Sequence, residues 1–258
     1  MVYLKINGHQ LFYETQGKDN NCLIFIHGLC GDHRVWLKNT PSFTNNYQVI
    51  TIDMFGHGNS SKKNNPQAAF ESMPAAISRL IEKEKIKNAL LIGHSIAGNI
   101  LLSCMEQNLN NVKAYVFVDC AFNATKRVVN SRNKLANSLL RYPKNQLHSA
   151  IENWYKTMMD MSADPKDNQL ILSALKMLKG TWPLDFLKIT NFVRKIPPIR
   201  LPTLVFESNW LTKDEPERSF KNAFKQEKFV RWPVANHFFF VYQAKKFNQK
   251  LKEFLESI

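Results

Sequence analysis

Apolar and polar positions alternate over Tyr3-Leu4-Lys5-Ile6 and again over Gln10-Leu11-Phe12-Tyr13, with Asn7-Gly8 between them. Period-two alternation predicts strands covered on one face, and Asn-Gly favours a tight antiparallel hairpin because both residues tolerate positive φ. Later runs are largely apolar without alternation: Cys22–Ile26, Val49–Ile52, Ala89–Ile92, Tyr115–Val118 and Thr203–Phe206, with Phe229–Trp232 as the last. Such runs are expected of strands buried on both faces of a parallel sheet. Between them, helical spacing marks Ala68–Lys85, with Ile77, Leu80 and Ile81 on one face, and Gly98–Met105. The pattern predicts an α/β fold: a doubly wound, mostly parallel eight-stranded sheet with an N-terminal antiparallel hairpin. In such sheets the functional loops leave the carboxyl ends of the strands.

From about Phe122 to Pro198 the alternation stops. Helical patterns there centre on Leu135-Leu139-Leu140, Trp154-Met158-Met161 and Leu170-Ile171-Leu175-Leu178. The expectation is a core built from residues 1–121 and 199–258, with 122–198 as a helical cap, or lid, overhanging the site. Its aromatic and methionine side chains are candidates for lining a substrate pocket, although such residues singly are more often helix core.

At 258 residues one α/β domain can bury a full core, and no low-complexity stretch or internal repeat suggests a linker. The first residues lead into the polar Asn7-Gly8 rather than an apolar stretch, and nowhere do 18 apolar residues run together. A soluble, cytoplasmic protein without a membrane span is expected. Cys22, Cys30, Cys104 and Cys120 lack C-x-x-C spacing, so buried reduced thiols are expected rather than a metal site or a disulfide framework. The net charge is +14, but the lysines are scattered over the helices without interleaved aromatics. That reads as solvated surface, with attraction of acidic substrates as the alternative and no nucleic-acid partner. No signal bears on self-association.

Candidate chemistry gathers at strand ends. Gly93-His94-Ser95-Ile96-Ala97-Gly98 follows the strand Ala89–Ile92 and opens a helix, the context in which G-x-S-x-G reads as a nucleophile elbow. Ala97 stands where the second glycine is usual, one methyl larger. His27-Gly28-Leu29-Cys30 closes the strand from Cys22, and Asp53-Met54-Phe55-Gly56-His57-Gly58-Asn59-Ser60 follows Val49–Ile52. Ala235-Asn236-His237-Phe238-Phe239 follows the last strand. Together these motifs resemble the α/β-hydrolase superfamily over almost the whole chain, weakly through the helical insertion. The resemblance implies Ser95 as nucleophile, His237 as general base and the backbone N–H groups of Leu29 and Ile96 as oxyanion donors. His27, Gly28, Gly93 and His94 support those motifs, and Asp53 and His57 stabilise their turn. A serine at the elbow argues against the relatives that use aspartate there, the dehalogenases and epoxide hydrolases.

The triad acid is less plainly written. Most relatives place it a few residues beyond the strand corresponding to Thr203–Phe206, where this chain reads Glu207-Ser208-Asn209-Trp210-Leu211-Thr212-Lys213-Asp214. Asp119 is preferred because it ends the strand Tyr115–Val118, expected to neighbour the nucleophile strand, whereas Asp214 lies in a charged, solvent-type run. Asp214 is the alternative acid, Glu207 and Asn209 lesser ones, and Asp119 has a rival role as a loop cap. The expected activity is cleavage of a carboxylic ester with a small or medium acyl group, a small-molecule substrate, through an acyl-enzyme. Thioesterase, lactonase and carbon–carbon hydrolase activities are alternatives, as is a non-catalytic ligand-binding member. The spacing offers no ligand cluster, so neither metal nor organic cofactor is expected.

Overall fold

The computed structural model describes residues 2–62, 65–120, 126–178, 181, 182, 184, 185, 197–212 and 228–258. Eight strands form one sheet: β1 (Val2–Ile6), β2 (His9–Gln16), β3 (Asn21–Ile26), β4 (Gln48–Ile52), β5 (Asn88–His94), β6 (Val112–Val118), β7 (Thr203–Ser208) and β8 (Lys228–Trp232). Their order is β1-β2-β4-β3-β5-β6-β7-β8. β1 and β2 pair antiparallel, β2 pairs antiparallel with β4, and β3 to β8 are mutually parallel. The hairpin turn is built as the dipeptide requires, with φ 47° at Asn7 and 74° at Gly8.

Side chains alternate across a strand, so each central strand feeds two cores. Ile24, Ile26, Leu91 and Phe117 pack with α1 (Pro66–Glu71), α2 (Met73–Lys83) and α3 (Ala97–Glu106) on one face. Leu23, Phe25, Ile92, Val116 and Phe206 pack on the other face. There they meet Trp36, Phe247 and Leu251, the last two from the C-terminal helix Ala244–Leu255. Between β6 and β7 in the chain run α4 (Lys126–Leu139), α5 (Lys144–Lys156) and α6 (Pro165–Ser173), whose Leu139, Leu147, Ile151 and Tyr155 join this second core. Among the described residues no helix is long and apolar enough to cross a membrane.

Four local expectations need correction. The single helix over Ala68–Lys85 is two, α1 and α2, meeting at Ser72. Pro74 lacks an N–H and can occupy only a helix's first turn, so it restarts the helix rather than continuing it. Met161 and Leu140 are exposed rather than turned inward. Cys30 lies in a turn and Cys120 in the loop after β6 rather than among strand or helix residues, though all four thiols are buried and free. β7 runs to Ser208, two residues further than its apolar run, which brings Ser208 to the carboxyl edge of the sheet.

Candidate active site

Ser95 sits between β5 and α3 with φ 55°, a left-handed conformation that is unfavourable for a side chain-bearing residue and projects it out of the turn. Its N–H donates to Val118 O at 3.0 Å, so the elbow is fastened to β6. The turn has room only for small neighbours. A Cβ on Gly28 would stand 2.7 Å from His94 Nδ1 and 3.1 Å from Ser95 Cβ, and one on Gly93 would stand 3.2 Å from Ala97 Cβ. The methyl of Ala97 is therefore accommodated because residue 93 has none. Ile96 precedes α3 without a side-chain cap, leaving the positive end of the helix dipole at the elbow.

His27 directly follows β3 and is fully buried. Its Nε2 accepts from Met54 N–H at 3.0 Å, which puts the ring proton on Nδ1, where it donates to Gly28 O at 2.7 Å. Burial holds the His27 imidazole below its ordinary pKa, in keeping with that neutral tautomer. This bond links the Leu29 loop to the chain after β4. There Asp53 is a structural anchor: its Oδ1 accepts from His33 N–H at 2.7 Å and His33 Nδ1 at 2.8 Å, and its Oδ2 from Asn59 N–H at 2.8 Å. Asp32, His33 and Asp53 form a cluster whose candidate ligand atoms lie within 4.8 Å of one another. Linear spacing hid it, because the members meet only across two loops. The Asp53 oxygens already accept protein donors, and Asp32 receives Arg34 Nε at 3.0 Å, so these residues fit a loop clamp better than a metal site.

Asp119, with φ 49°, directly follows β6 and is completely buried. The register pairs His94 with Val118 and Val118 with Phe206, which sets Ser95, Asp119 and the end of β7 side by side. Asp119 Oδ1 accepts from Ser208 N–H at 2.7 Å, and Oδ2 accepts from Ser208 Oγ at 2.9 Å and from His237 Nδ1 at 2.6 Å. His237 is held on both sides of its backbone. Its N–H donates to Met158 O at 2.8 Å, and its carbonyl accepts from His94 Nε2 at 3.0 Å. The His94 and His237 rings lie 4.4 Å apart between centroids, and the Trp210 ring lies 4.5 Å from that of His237. Burial, with the neighbouring His237 second, pushes His94 far below the ordinary histidine range, so it acts as a neutral donor.

The geometry thus brings Asp119 to His237, and His237 to His94, the residue before Ser95; Gly28 packs on Ser95 with Leu29 next to it. Asp214 lies outside the described residues. Of the lesser alternatives, Glu207 is buried opposite Arg231, 3.5 Å from its Nη2, and Asn209 is exposed. Ser208, Trp210 and Tyr155, whose hydroxyl donates to Leu29 O at 3.0 Å, were not foreseen. Ser208 follows a recognisable strand and could have been found by extending it. The other two carry no signal in the sequence, because their partners lie far away along the chain.

A carboxylate, an imidazole and an elbow serine gathered at the carboxyl edge of a parallel sheet define a class of fold and site. The chain belongs to the alpha/beta hydrolase fold family, whose model matches residues 21–244. Over 101 residues it is 30% identical to the dihydrolipoyllysine-residue acetyltransferase component of an acetoin cleaving system from Cupriavidus necator, covering 38% of this chain and 26% of that protein. Over 105 residues it is 30% identical to a (lyso)-N-acylphosphatidylethanolamine lipase from Mus musculus, covering 40% and 31%. The chain spans about a quarter to a third of the length of these curated relatives. Among solved structures, a bromoperoxidase from Bacillus anthracis superposes with a TM-score of 0.79 over 99% of each chain at 19% identity, a likeness of fold.

Proposed function

We propose that the protein is a serine hydrolase that cleaves carboxylic esters of small or medium acyl groups. The observation that carries the reading is the buried Asp119–His237 pair, 2.6 Å apart, on the strand edge that also presents Ser95. His237 Nδ1–H donates to Asp119, which leaves Nε2 as the basic nitrogen. In the first step Nε2 takes the Ser95 hydroxyl proton as Oγ forms a bond to the ester carbonyl carbon. The oxygen that becomes negative is held by the N–H groups of Leu29 and Ile96. Collapse breaks the bond to the alcohol, which leaves with the proton from Nε2. Water then attacks the acyl-enzyme by the same steps, releasing the acid and returning the proton to Ser95.

Ser208 supports the acid role of Asp119, since both of its donors are spent on that carboxylate. The helices α4 to α6 are proposed as a cap over the site. The relatives whose names describe an acetyltransferase and a lipase support acyl chemistry in general and do not single out a substrate.

The test is incubation with p-nitrophenyl acetate and butyrate, with a fluorophosphonate probe in parallel. The wild type should turn over and become labelled, and Ser95→Ala should do neither. A folded wild type that is neither active nor labelled would overturn the reading and favour a ligand-binding member.

A further inference from the structure

One imidazole stands among the three loops that carry the proposed chemistry. His94 is the last residue of β5, directly before Ser95, and it is buried. Gly28 packs on the Nδ1 edge of its ring, where a Cβ on that glycine would stand 2.7 Å from Nδ1. On the opposite edge Nε2 lies 3.0 Å from His237 O. A carbonyl oxygen only accepts, so Nε2 carries the proton and, in the neutral ring, Nδ1 carries none. The Phe240 and Phe238 rings, with centroids 4.7 and 5.4 Å away, pack against the same imidazole and leave it little room to turn. His237 thus has three fastenings: its N–H to Met158 O, its Nδ1 to Asp119 and its carbonyl to His94. Of these three, the last comes from the strand that carries Ser95.

We propose that His94 is a positioning residue whose Nε2–H ties the loop of the general base to the nucleophile elbow and so fixes where His237 stands relative to Ser95. The inference rests on the roles given to Ser95 and His237 above. Residues 94 and 95 share a peptide bond, so this hydrogen bond passes the position of the elbow to His237 directly rather than through the sheet. A neutral donor suits the place, because His237 gains positive charge during the attack with its ring 4.4 Å from that of His94. Burial keeps His94 uncharged. Without the donor, the carbonyl of a buried residue loses its partner and the loop shifts to find another.

The test compares wild type with His94→Gln, His94→Met and His94→Asn for p-nitrophenyl butyrate kinetics, fluorophosphonate labelling and thermal midpoint. Glutamine carries an amide donor about as far from Cβ as the imidazole Nε2. Methionine has nearly the shape of glutamine without the donor, and asparagine has the donor without the reach. His94→Met and His94→Asn should each lower kcat about tenfold, since a misplacement of a full ångström can cost a hundredfold, with little change in KM. His94→Gln should keep most of the wild-type kcat. A histidine that served only packing would rank methionine with glutamine, and kcat would follow the thermal midpoint instead of the donor. Wild-type kcat in His94→Met, or a His94→Gln no faster than His94→Asn, overturns the inference alone. A wild type that is inactive and unlabelled overturns the proposed function and the inference with it.

Discussion

Asp119 receives two hydrogen bonds from a single residue, Ser208, and a third from His237. A buried carboxylate needs its lone pairs filled, and here the filling also fixes the rotamer that faces the imidazole. On the proposed assignment, Asp119→Asn should lower kcat about ten-thousandfold, because the imidazole loses its orientation and the partner for its developing charge. Ser208→Ala removes one hydrogen bond to a charged group, a contribution of about 1.5–3 kcal/mol, and should cost correspondingly less. Steady-state turnover of p-nitrophenyl butyrate measures both. Collapse of activity in Asp214→Asn with Asp119→Asn intact would show that the acid has been misplaced.

At the scale of elements, the site is a packing problem between the β3 loop, the elbow and the loop after β8. Gly28 is where the β3 loop meets the elbow, and a methyl there has nowhere to go: His94 Nδ1 would be 2.7 Å away and Ser95 Cβ 3.1 Å. Gly28→Ala should destabilise the fold by about 1–3 kcal/mol, the usual cost of overpacking. By shifting Ser95 it should also cost about a hundredfold in turnover. Ala97→Gly removes a methyl instead of adding one, and should cost about 0.5–1 kcal/mol of helix stability. Urea denaturation alongside kinetics separates the two effects, and a fully active, fully stable Gly28→Ala would refute the packing account. Strands were legible because double-sided burial writes continuous apolar runs, and the elbow because a strand meets a helix at a small-residue turn. The break at Ser72 was missed because the helical spacing carries across it, although Pro74 marked the restart.

Across the whole molecule, His27, His57 and His94 are buried and neutral, each held below its ordinary pKa chiefly by loss of solvent, His57 down to about 3. In the unfolded chain each titrates near the usual value of about 6.5. Below that pH the unfolded state binds the protons and the folded state refuses them, so stability must fall on acidification. The slope is at most about 1.4 kcal/mol per pH unit for each histidine. His33 has the opposite sign. Burial lowers it, but the hydrogen bond and charge of Asp53, with Asp32 and Glu14, outweigh that and raise it. Its contribution is complete below about 6.5 and disappears as the pH rises through its folded value. Urea midpoints at pH 7.5, 6.5 and 5.5 should therefore decline toward acid, and an unchanged midpoint at pH 5.5 would contradict the burial of these imidazoles.

The strand-and-helix alternation, the hairpin, the elbow and the histidine after the last strand are written locally in the chain. Each of these is set by near-neighbour sterics or by a burial period that a dozen residues suffice to display. Which of these features meet is set in the folded chain. Asp119 and His237 lie 118 positions apart and Leu29 and Tyr155 lie 126 apart. Strand order, register and the packing of helices and loops onto the sheet determine whether such residues come within a hydrogen bond's reach, and those are properties of the assembled fold rather than of any local pattern.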